Sequence, residues 1–459
     1  MSIKKKETWS YILLLALSAT CVVFNKYPIF SWLSLLLLLI LYLRLAITKI
    51  SFLVKYFPLV FSSALFIAGV SFCEFTHIEL YEIDSVAHFA GSIPAAVLLY
   101  FVFFFFLLIF DKPIKNISKS QFLNRINKLK YSNLNHYIAM ASSLVLLLMF
   151  ARIARYPAFL MGVDRFVYAS TYGRSNGIWR IFESISYALI VFPLLDLING
   201  HKLTGLFGLL CYVLFYLWNG NKFGPFYTLL VVYFIVDYER FAFISKRKVH
   251  RFLIVTGITV IVLVGIAAII QSSVMNISII DYVSNRASQQ GQLWWATFLK
   301  TDRIHINEIS DELNGMLHGS SNVSDNVDAK YGIYKIMYYC GNYNYISNKL
   351  RAGSRFTEAG FAAAYYYLNI IGGLLFSFFN AFVISKTVNG LVSSLKQGNI
   401  ILIAVLIRLY TIERISFSMF VFNDYLDLIS VGSFIIIFIY FFLKGVKNSE
   451  SKGLHTFTA

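Results

Sequence analysis

The stretch VLLYFVFFFFLLIF (97–110) decides the fold class, because fourteen consecutive apolar or aromatic residues without a charge suit the interior of a bilayer. A second stretch, LSLLLLLILYLRLAI (33–47), has the same character, and similar runs recur along the whole chain of 459 residues. Apolar residues make up 58% of the chain and charged residues 14%, whereas soluble domains hold about half and about a quarter. This composition predicts a polytopic α-helical membrane protein and excludes a soluble globular enzyme, a disordered chain and a disulfide scaffold.

About twelve membrane-spanning helices are predicted when about 20 apolar residues are required for each crossing. The predicted spans lie near 9–24, 29–47, 56–73, 90–110, 137–152, 179–198, 204–218, 225–238, 252–271, 360–385, 399–420 and 425–443. The first apolar stretch has no small-residue cleavage site, so we expect a retained first helix rather than a signal peptide. The predicted fold class is therefore all-α, with one transmembrane domain over residues 1–459.

Lysine and arginine residues are distributed unevenly between the two sides of the predicted bundle. With both termini placed in the cytoplasm, the inner segments hold 23 Lys and Arg against six acidic residues, which accounts for the entire net charge of +17. This is the positive-inside pattern of membrane proteins, and it favours an even number of spans. The basic loop 112–130 is accordingly interpreted as a topology determinant on anionic lipid, and no nucleic-acid partner is predicted.

The predicted outer side holds two sizeable segments, 153–178 and a large loop at 272–359. No inner segment is long enough to be a soluble catalytic domain, and the sequence has no phosphate-binding loop, dinucleotide fingerprint or HExxH motif. No cofactor is therefore expected. Histidine and cysteine residues are not at metal-ligand spacing, so no metal site is predicted, and Glu82 and Asp84 are interpreted as part of a solvated acidic loop.

The motif GSRFTEAG (353–360) leads into a predicted span from the outer side. Arg355 and Glu358 are three residues apart, and Arg351 lies one helical turn earlier. The N-terminus of a helix favours anions through its free N–H groups and its dipole, and a neighbouring arginine adds a charged partner. The motif predicts a cradle for a phosphate group, with a helix cap and a surface ion pair as the alternative.

Three charged residues lie within the predicted span IILIAVLIRLYTIERISFSMF (400–420). Arg408 is near the middle of this span, whereas Glu413 and Arg414 are close to its outer boundary. A charge inside a membrane costs roughly 2.5–3.5 kcal/mol for arginine at a helix centre, and it persists where it faces a partner or a cavity. Two interpretations stay open, a buried ion pair that fixes helix packing and a cavity whose positive surplus binds an anion.

Three further outer segments bring cationic side chains to the same level. They are YGRSNGIWR (172–180) with Arg174 and Arg180, followed by Glu183; NGNKFGP (219–225) with Lys222; and RASQQGQLWW (286–295) with Arg286, Trp294 and Trp295. Arginine binds phosphate oxygens in bidentate fashion and lysine adds a point charge. Glutamine amides and indole rings suit sugars, although an interfacial aromatic belt is the alternative for the tryptophan pair. The convergence predicts a site for a lipid-linked diphosphate oligosaccharide.

These motifs resemble those of the Wzy family, the bacterial polymerases of O-antigen or capsule repeat units. The resemblance covers the length, the number of spans and the dominant late outer loop, and the best local matches are YGRSNG (172–177), NGNKFG (219–224) and GSRFTEAG (353–360). It implies a metal-independent glycosyltransferase of the GT-C type in the bacterial inner membrane. Such an enzyme transfers the growing glycan from undecaprenyl diphosphate to a new lipid-linked repeat unit on the periplasmic face.

The resemblance also implies roles for individual residues. A carboxylate would accept the proton of the attacking hydroxyl, and arginines would stabilise the diphosphate leaving group. The candidate catalytic residues are Glu358, Arg355, Arg286, Glu183 and Glu413. The candidate substrate-binding residues are Arg174, Arg180, Lys222, Arg351, Arg408, Arg414, Trp294 and Trp295.

Two other functions fit the same sequence features. A flippase for the same lipid-linked oligosaccharide would also have about twelve spans and a cationic cavity, but it would not need the long outer segment 272–359. An O-antigen ligase would need a catalytic histidine, for which His305 and His318 are available. Besides the lipid-linked substrate and membrane lipid, the predicted partners are a chain-length regulator and a flippase of the same pathway.

Overall fold

The computed structural model describes residues 5–111, 133–156, 178–219, 277–320, 323–397, 399–427 and 430–440, together with isolated positions between 229 and 272. Across these residues the chain is helical apart from one short antiparallel hairpin, in agreement with the predicted all-α class.

The helices of the described residues are numbered here in chain order. They are α1 (Lys5–Val23), α2 (Pro28–Thr48), α3 (Ile50–Lys55), α4 (Phe57–Phe75), α5 (Ile93–Phe110), α6 (Asn133–Ile153), α7 (Ile178–Leu189), α8 (Val191–Ile198), α9 (Lys202–Trp218), α10 (Ile279–Ser288), α11 (Gln292–Lys300), α12 (Ile309–His318), α13 (Gly332–Cys340), α14 (Tyr343–Arg351), α15 (Gly360–Gln397), α16 (Ile400–Met419) and α17 (Ser430–Tyr440). Strands β1 (Glu79–Leu80) and β2 (Ser85–Val86) form the hairpin.

Five of these helices are long and apolar enough to cross a membrane, namely α2, α4, α5, α6 and α15. They coincide with the spans predicted near 29–47, 56–73, 90–110, 137–152 and 360–385. Shorter apolar helices cover the spans predicted near 9–24, 204–218 and 425–443. The predicted span 179–198 consists of the two helices α7 and α8, and 399–420 coincides with α16. The predicted spans 225–238 and 252–271 lie largely outside the described residues.

The chain divides into two compact units, which we describe separately. Unit 1 comprises residues 1–119, 237–386 and 414–421. Unit 2 comprises residues 120–236, 387–413 and 422–459.

Helix α5 is the centre of unit 1, and its first turn is fixed by a carboxylate from another helix. Glu74, in the last turn of α4, accepts hydrogen bonds from the backbone N–H groups of Ala90, Gly91 and Ser92 at 2.9, 3.0 and 2.6 Å. A negative charge at this position satisfies free N–H groups and matches the positive end of the helix dipole. Pro94 suits the first turn of α5, where no N–H donor is needed. We call this end of unit 1, where α4 ends and α5 begins, the loop end.

Five short helices, α10 to α14, make up most of the described part of the large loop predicted at 272–359. They share a core with the β-hairpin that includes the buried side chains of Leu80, Ile83, Ile333, Met337 and Ile346. The predicted loop is therefore a folded helical module, which we call the loop module. Because the loop module has a core of its own, it can hold the polar segments 286–291 and 353–360, which are distant in sequence, in fixed positions at the loop end.

Helix α15 folds back on itself near its start. Leu368 and Asn369 leave the helical conformation, and Asn369 has a φ of 55°. A Cβ atom at Gly372 would lie only 2.0 Å from the carbonyl oxygen of Ala364, a separation that a continuous helix does not allow between residues eight apart. Residues 360–367, the re-entrant arm, therefore lie antiparallel to the start of residues 370–397, the outgoing arm.

The two arms have different surroundings. Every side chain from Phe361 to Tyr367 is buried, whereas Ile371, Leu375 and Phe379 on the outgoing arm are 58%, 51% and 64% exposed, as expected for lipid contact. The outgoing arm follows α5, since the Ser377 hydroxyl donates to the Leu99 carbonyl at 3.0 Å. The arm that precedes it therefore begins beside the interior of the bundle, where Phe361 contacts Phe66 and Tyr100, and runs outward to the loop end, where Tyr366 stacks on His305.

Unit 2 has its own core of α6, α8 and α9. Gly208 of α9 permits close approach, because a Cβ atom there would lie 2.4 Å from the Ser143 hydroxyl. The carboxylate of Asp196, which is fully buried, bonds Nδ1 of His136 at 2.8 Å, and the His136 ring stacks on His201. These contacts fix α6 against the connection between α8 and α9.

Candidate functional site

The segment 353–360 connects the loop module to the re-entrant arm of unit 1. Its backbone is bound to the end of α16, where the Ala359 N–H donates to the Ser418 carbonyl at 2.7 Å. A Cβ atom at Gly360 would lie 1.8 Å from the Phe417 carbonyl oxygen, so only glycine fits there. Glu358 adopts a φ of 57°, a left-handed conformation that disfavours residues with a Cβ. Such strained positions concentrate at functional sites, because the surrounding structure must enforce them.

The connection between α10 and α11 reaches the same region from the other side. Gly69 of α4 and Gly291 face each other, since a Cβ at Gly69 would lie 2.6 Å from the Ala287 carbonyl oxygen and one at Gly291 would lie 2.1 Å from the Val70 nitrogen. Gly69 lies six residues before the end of α4, which is about 9 Å along the helix axis. Residues 287–291 are therefore inserted beside the spanning helices rather than held above them.

These two inserted segments contact each other directly. The Thr357 hydroxyl donates to the Gln289 carbonyl at 3.2 Å, and the Gln289 side chain accepts from the Arg286 guanidinium at 2.8 Å. The Arg355 guanidinium donates to the Tyr334 hydroxyl of α13 at 3.2 Å. Burial raises the pKa of the Glu358 carboxyl to about 7, and the positive charge of Arg414, in α16, opposes that rise. We call the set Arg286, Gln289, Arg355, Thr357, Glu358 and Arg414 the arginine site.

The arginine site carries positive charge that no carboxylate offsets by contact with Arg286 or Arg355. Within the described part of the chain, the partners of these two guanidiniums are neutral: Gln289 and Tyr282 for Arg286, and Tyr334 for Arg355. Other cations are paired with carboxylates, namely Lys55 with Asp111, Lys349 with Glu82, Lys335 with Glu308 and Arg408 with Asp427. Neither the exposed guanidinium of Arg286 nor the partly buried one of Arg355 is therefore neutralised by contact with a carboxylate in this part of the chain.

Glu358 supplies a carboxyl group to this positive surrounding. Its side chain is partly buried, and no hydrogen bond to its carboxyl is found among the described residues. A carboxylate that no protein donor occupies can accept a proton from a bound hydroxyl. The arginine site thus places the guanidiniums of Arg286 and Arg355 near a carboxyl group that has no hydrogen-bond partner among the described residues.

The predicted tryptophan pair has a structural place in the core of unit 1. Trp294 and Trp295 are 0% and 1% exposed. Their indole N–H groups donate to the carbonyls of Ser92 and His88 at 3.1 and 2.9 Å. The rings therefore anchor α11 to the segment before α5, and in this structure they offer no face to a sugar. Their burial follows from the folding of the predicted loop into a module with its own core.

The charged residues Arg408 and Glu413 belong to unit 2 and have partners there. Arg408 donates to the Asp427 carboxylate at 2.6 Å, and Glu413, which is buried, accepts from the Thr387 hydroxyl. The sequence placed Asp427 inside the last predicted span, near 425–443, so it was not identified as a partner. These contacts favour the packing interpretation for Arg408 and Glu413 over the cavity with a positive surplus.

The remaining predicted residues either lie on other elements or fall outside the described residues. Arg351 is exposed at the end of α14, and Glu183 is partly buried on α7 in unit 2. Arg180 lies on α7, and its side chain is outside the described residues, as are the whole residues Arg174 and Lys222. The described residues therefore bring together Arg286, Arg355, Glu358 and Arg414 of the predicted set, and the other assignments stay predictions.

Sequence reasoning missed an ion-pair network in the loop module. Glu308 accepts from Lys335 at 2.5 Å, from the Tyr366 hydroxyl at 2.9 Å and from Nδ1 of His305 at 3.2 Å, and Lys335 also contacts Asp311 at 2.8 Å. These hydrogen bonds, that of Lys335 first, lower the pKa of Glu308 to about 2. The network joins α12 and α13 to the re-entrant arm at Tyr366. The acidic residues Glu308, Asp311 and Glu312 have the i, i+3, i+4 spacing of one helix face, and this spacing could have indicated a cluster of ion pairs.

Glu312 lies beside this network in a less polar setting. Its buried carboxyl accepts from the Gly332 N–H and from the Tyr367 hydroxyl, both at 2.6 Å. Burial raises the pKa of Glu312 to about 7, because desolvation disfavours the charged form more than the hydrogen bonds favour it. Glu312 therefore changes charge near neutral pH.

The acidic β-hairpin also has a structural role. Glu82 is buried and accepts hydrogen bonds from Lys349 of α14 and from the Gln292 amide of α11. The interpretation of Glu82 as a solvated loop residue is therefore wrong, because Glu82 joins the hairpin to two helices of the loop module. No cluster of three or more potential metal ligands occurs among the residues that the structure describes.

Comparison with known families gives one match. A model described as a family of unknown function, DUF6418, matches residues 326–443, about a quarter of the chain. This range includes Arg355, Glu358 and Arg414 of the arginine site but not Arg286 or Gln289. Neither a search of curated proteins nor a search of solved structures gave a match.

Proposed function

We propose that this protein is a membrane glycosyltransferase that polymerises undecaprenyl-diphosphate-linked oligosaccharide repeat units into O-antigen or capsular polysaccharide. The observation that carries the proposal is the arginine site, in which the guanidiniums of Arg286 and Arg355 have neutral partners. They belong to two segments that meet at Thr357 and Gln289, close to Glu358, and residues 287–291 of one segment pack beside α4. We place about twelve spans in the bacterial inner membrane, with both termini in the cytoplasm and the arginine site on the periplasmic side. The product is then made where the repeat units are exposed.

The chemistry of such a transfer matches the groups at the arginine site. The hydroxyl of the acceptor repeat unit attacks the anomeric carbon of the growing glycan, a new glycosidic C–O bond forms, and the bond between that carbon and the diphosphate breaks. The hydroxyl proton passes to Glu358. Arg286 and Arg355 stabilise the negative charge that builds up on the departing diphosphate.

The re-entrant arm supports anion binding from a second direction. Its N-terminus at Gly360 lies two residues after Glu358, and the first N–H groups of a helix have no partner within the helix. The positive end of the helix dipole therefore adds to the charge of the arginines. Broken helices that end beside spanning segments are a recurrent way to bind anionic groups within membranes.

The proposal is tested by deleting the gene in its host and restoring it with variants. Polymerised glycan gives a ladder on a gel, and loss of polymerisation reduces it to core plus one repeat. We expect Arg286→Ala, Arg355→Ala and Glu358→Gln to give the reduced pattern. Arg303→Ala is the matched control, because Arg303 is an exposed arginine of the same loop module. A full ladder from all three site variants, at normal protein levels, would refute the proposal.

The ligase alternative retains one specific observation in its favour. His305 stacks on Tyr366 with ring centroids 4.1 Å apart, its Nδ1 is held by Glu308, and its buried Nε2 has no hydrogen-bond partner among the described residues. A histidine oriented by a carboxylate can act as a base through its other nitrogen. If His305→Ala abolished attachment of glycan while polymer length stayed normal, the ligase function would replace the polymerase.

A further inference from the structure

A group of tyrosines forms an exposed surface on the loop module, away from the groups of the arginine site. Tyr338 of α13 and Tyr343 of α14 stack with ring centroids 5.2 Å apart, and Tyr343 and Tyr345 are 57% and 42% exposed. Asp328 holds both rings of the stack: its carboxylate accepts from the Tyr343 hydroxyl at 2.5 Å, and its N–H donates to the Tyr338 hydroxyl at 3.3 Å. We call Asp328, Tyr338, Tyr343 and Tyr345 the tyrosine platform.

The surroundings of the tyrosine platform are those of a surface in water. The apolar side chains of α14, Ile346 and Leu350, are fully buried. The other exposed residues of this helix and its cap are polar, namely Asn342, Asn344, Asn348 and Arg351. A helix that lies in the headgroup layer would expose aliphatic side chains alongside its aromatic ones. Aromatic faces on a helix whose other exposed side chains are polar, with one ring held by an aspartate and amides close by, are suited to a polar ligand that also has apolar faces.

We propose that the tyrosine platform binds sugar residues of the glycan that is attached to the lipid diphosphate, an inference that rests on the proposed function. Sugar rings present C–H groups on their faces and hydroxyls at their edges. The C–H faces fit against the fixed rings of Tyr338 and Tyr343, and the hydroxyls can bond to the Asp328 carboxylate and the asparagine amides. Because the Asp328 hydrogen bond fixes the Tyr343 ring before binding, less side-chain freedom is lost when the sugar binds.

The position of the tyrosine platform suits a glycan whose diphosphate is held at the arginine site. Tyr338 follows Tyr334 by one turn of α13, and residues at this spacing are about 6 Å apart on the same helix face. The Tyr334 hydroxyl contacts Arg355. The platform therefore begins one helical turn from a residue that touches the anion-binding group, which places the sugars nearest the diphosphate against the tyrosines.

The test measures binding of a soluble glycan to the full-length protein in lipid nanodiscs. The probe is the oligosaccharide released by mild acid from the surface polysaccharide of the host, and saturation-transfer NMR reports which sugar protons contact the protein. We expect Tyr343→Ala to raise the dissociation constant about 2- to 10-fold, the range measured for aromatic contacts. Tyr343→Phe keeps the ring and should cause a smaller change. The matched control is Tyr81→Ala, since Tyr81 is 62% exposed on the β-hairpin of the same unit.

Equal affinity of the wild type and Tyr343→Ala, or no saturation transfer to the wild type, would overturn the proposal. Quenching of a Tyr343→Trp variant by brominated lipid beyond the quenching of the six native tryptophans in the wild type would also overturn it, because residue 343 would then contact lipid acyl chains. Failure here is distinguishable from failure of the proposed function. If only the tyrosine platform is wrongly assigned, Tyr343→Ala binds the glycan normally while Arg355→Ala loses the ladder. If the proposed function is wrong, Arg286→Ala, Arg355→Ala and Glu358→Gln all keep the ladder.

Discussion

Replacing Glu358 by glycine is expected to stabilise the protein while abolishing polymerisation. The left-handed backbone at Glu358, with a φ of 57°, costs roughly 1–2 kcal/mol for a residue with a Cβ and nothing for glycine. Glycine also increases the freedom of the unfolded chain, which offsets about 0.4–1 kcal/mol of that gain. Glu358→Ala removes the same carboxyl but keeps the strain. The glycine variant should therefore be more stable than the alanine variant by about 0.5–1 kcal/mol.

The measurement is thermal unfolding of both variants in the same detergent. The unfolding entropy is about 2.1 cal/mol/K per residue, so a difference of about 0.5–1 kcal/mol in a chain of 459 residues should appear as about 0.5–1 °C. Asp84 provides the matched control, because it has a φ of 51° in the exposed turn of the β-hairpin. Asp84→Gly should show the same gain over Asp84→Ala with a full polysaccharide ladder.

Two results would refute this reasoning. If Glu358→Gly melted at or below the temperature of Glu358→Ala, the backbone at this position would not be strained. If Glu358→Gly still gave a full ladder, the carboxyl would not be the base of the reaction. A gain in stability together with a loss of activity is the pattern expected where a fold maintains a strained residue for its chemistry.

Three further predictions follow from contacts in unit 1. The pKa of Glu312 is raised to about 7 in the folded protein, so folding disfavours the charged form of this carboxyl. The free energy of unfolding should therefore fall by up to roughly 3 kcal/mol as the pH rises from about 4.5 to about 7. Melting curves across this pH range should show no such fall for Glu312→Gln. Lys349→Met should destabilise the protein by about 3–5 kcal/mol in the same assay, because the buried Glu82 carboxylate loses its cation, and the added change Glu82→Gln should recover most of the loss. Gly291→Ala should prevent normal folding, judged by gel-filtration profile, whereas Gly432→Ala, with open space around it, should not.

Hydropathy was sufficient to locate the five long apolar helices but not the path of every apolar segment. The run 97–110 predicted α5 because a bilayer accepts only helices or closed barrels, and this run is apolar throughout. The reversal at Asn369 was not predictable from the same property, because residues on both sides of it are apolar. The contacts of the arm before it come from residues remote in sequence: Phe361 packs on Phe417 and Tyr100, and the His305 N–H donates to the Tyr367 carbonyl at 3.2 Å.

The candidate site was predictable in part, for a related reason. The spacing in GSRFTEAG identified Arg355 and Glu358, and the run RASQQGQ identified Arg286, but the hydrogen bond from Thr357 to Gln289 depends on the fold of the loop module. The tryptophan pair was assigned to sugars because exposure cannot be read from residue type. A positive surplus was predicted around Arg408 because its partner Asp427 lies in a segment that was predicted to be a hydrophobic span.

The folded-back start of α15 sets an order on biogenesis. Eight residues are too few to cross a bilayer, so the re-entrant arm is not expected to insert into the membrane as an independent span. The arm packs against Phe417, which the ribosome adds about fifty residues later, so it cannot settle until α16 has been synthesised and released. The arginine site is therefore completed late, after the surrounding helices have entered the lipid, and a nascent chain that stalls before residue 414 would lack it.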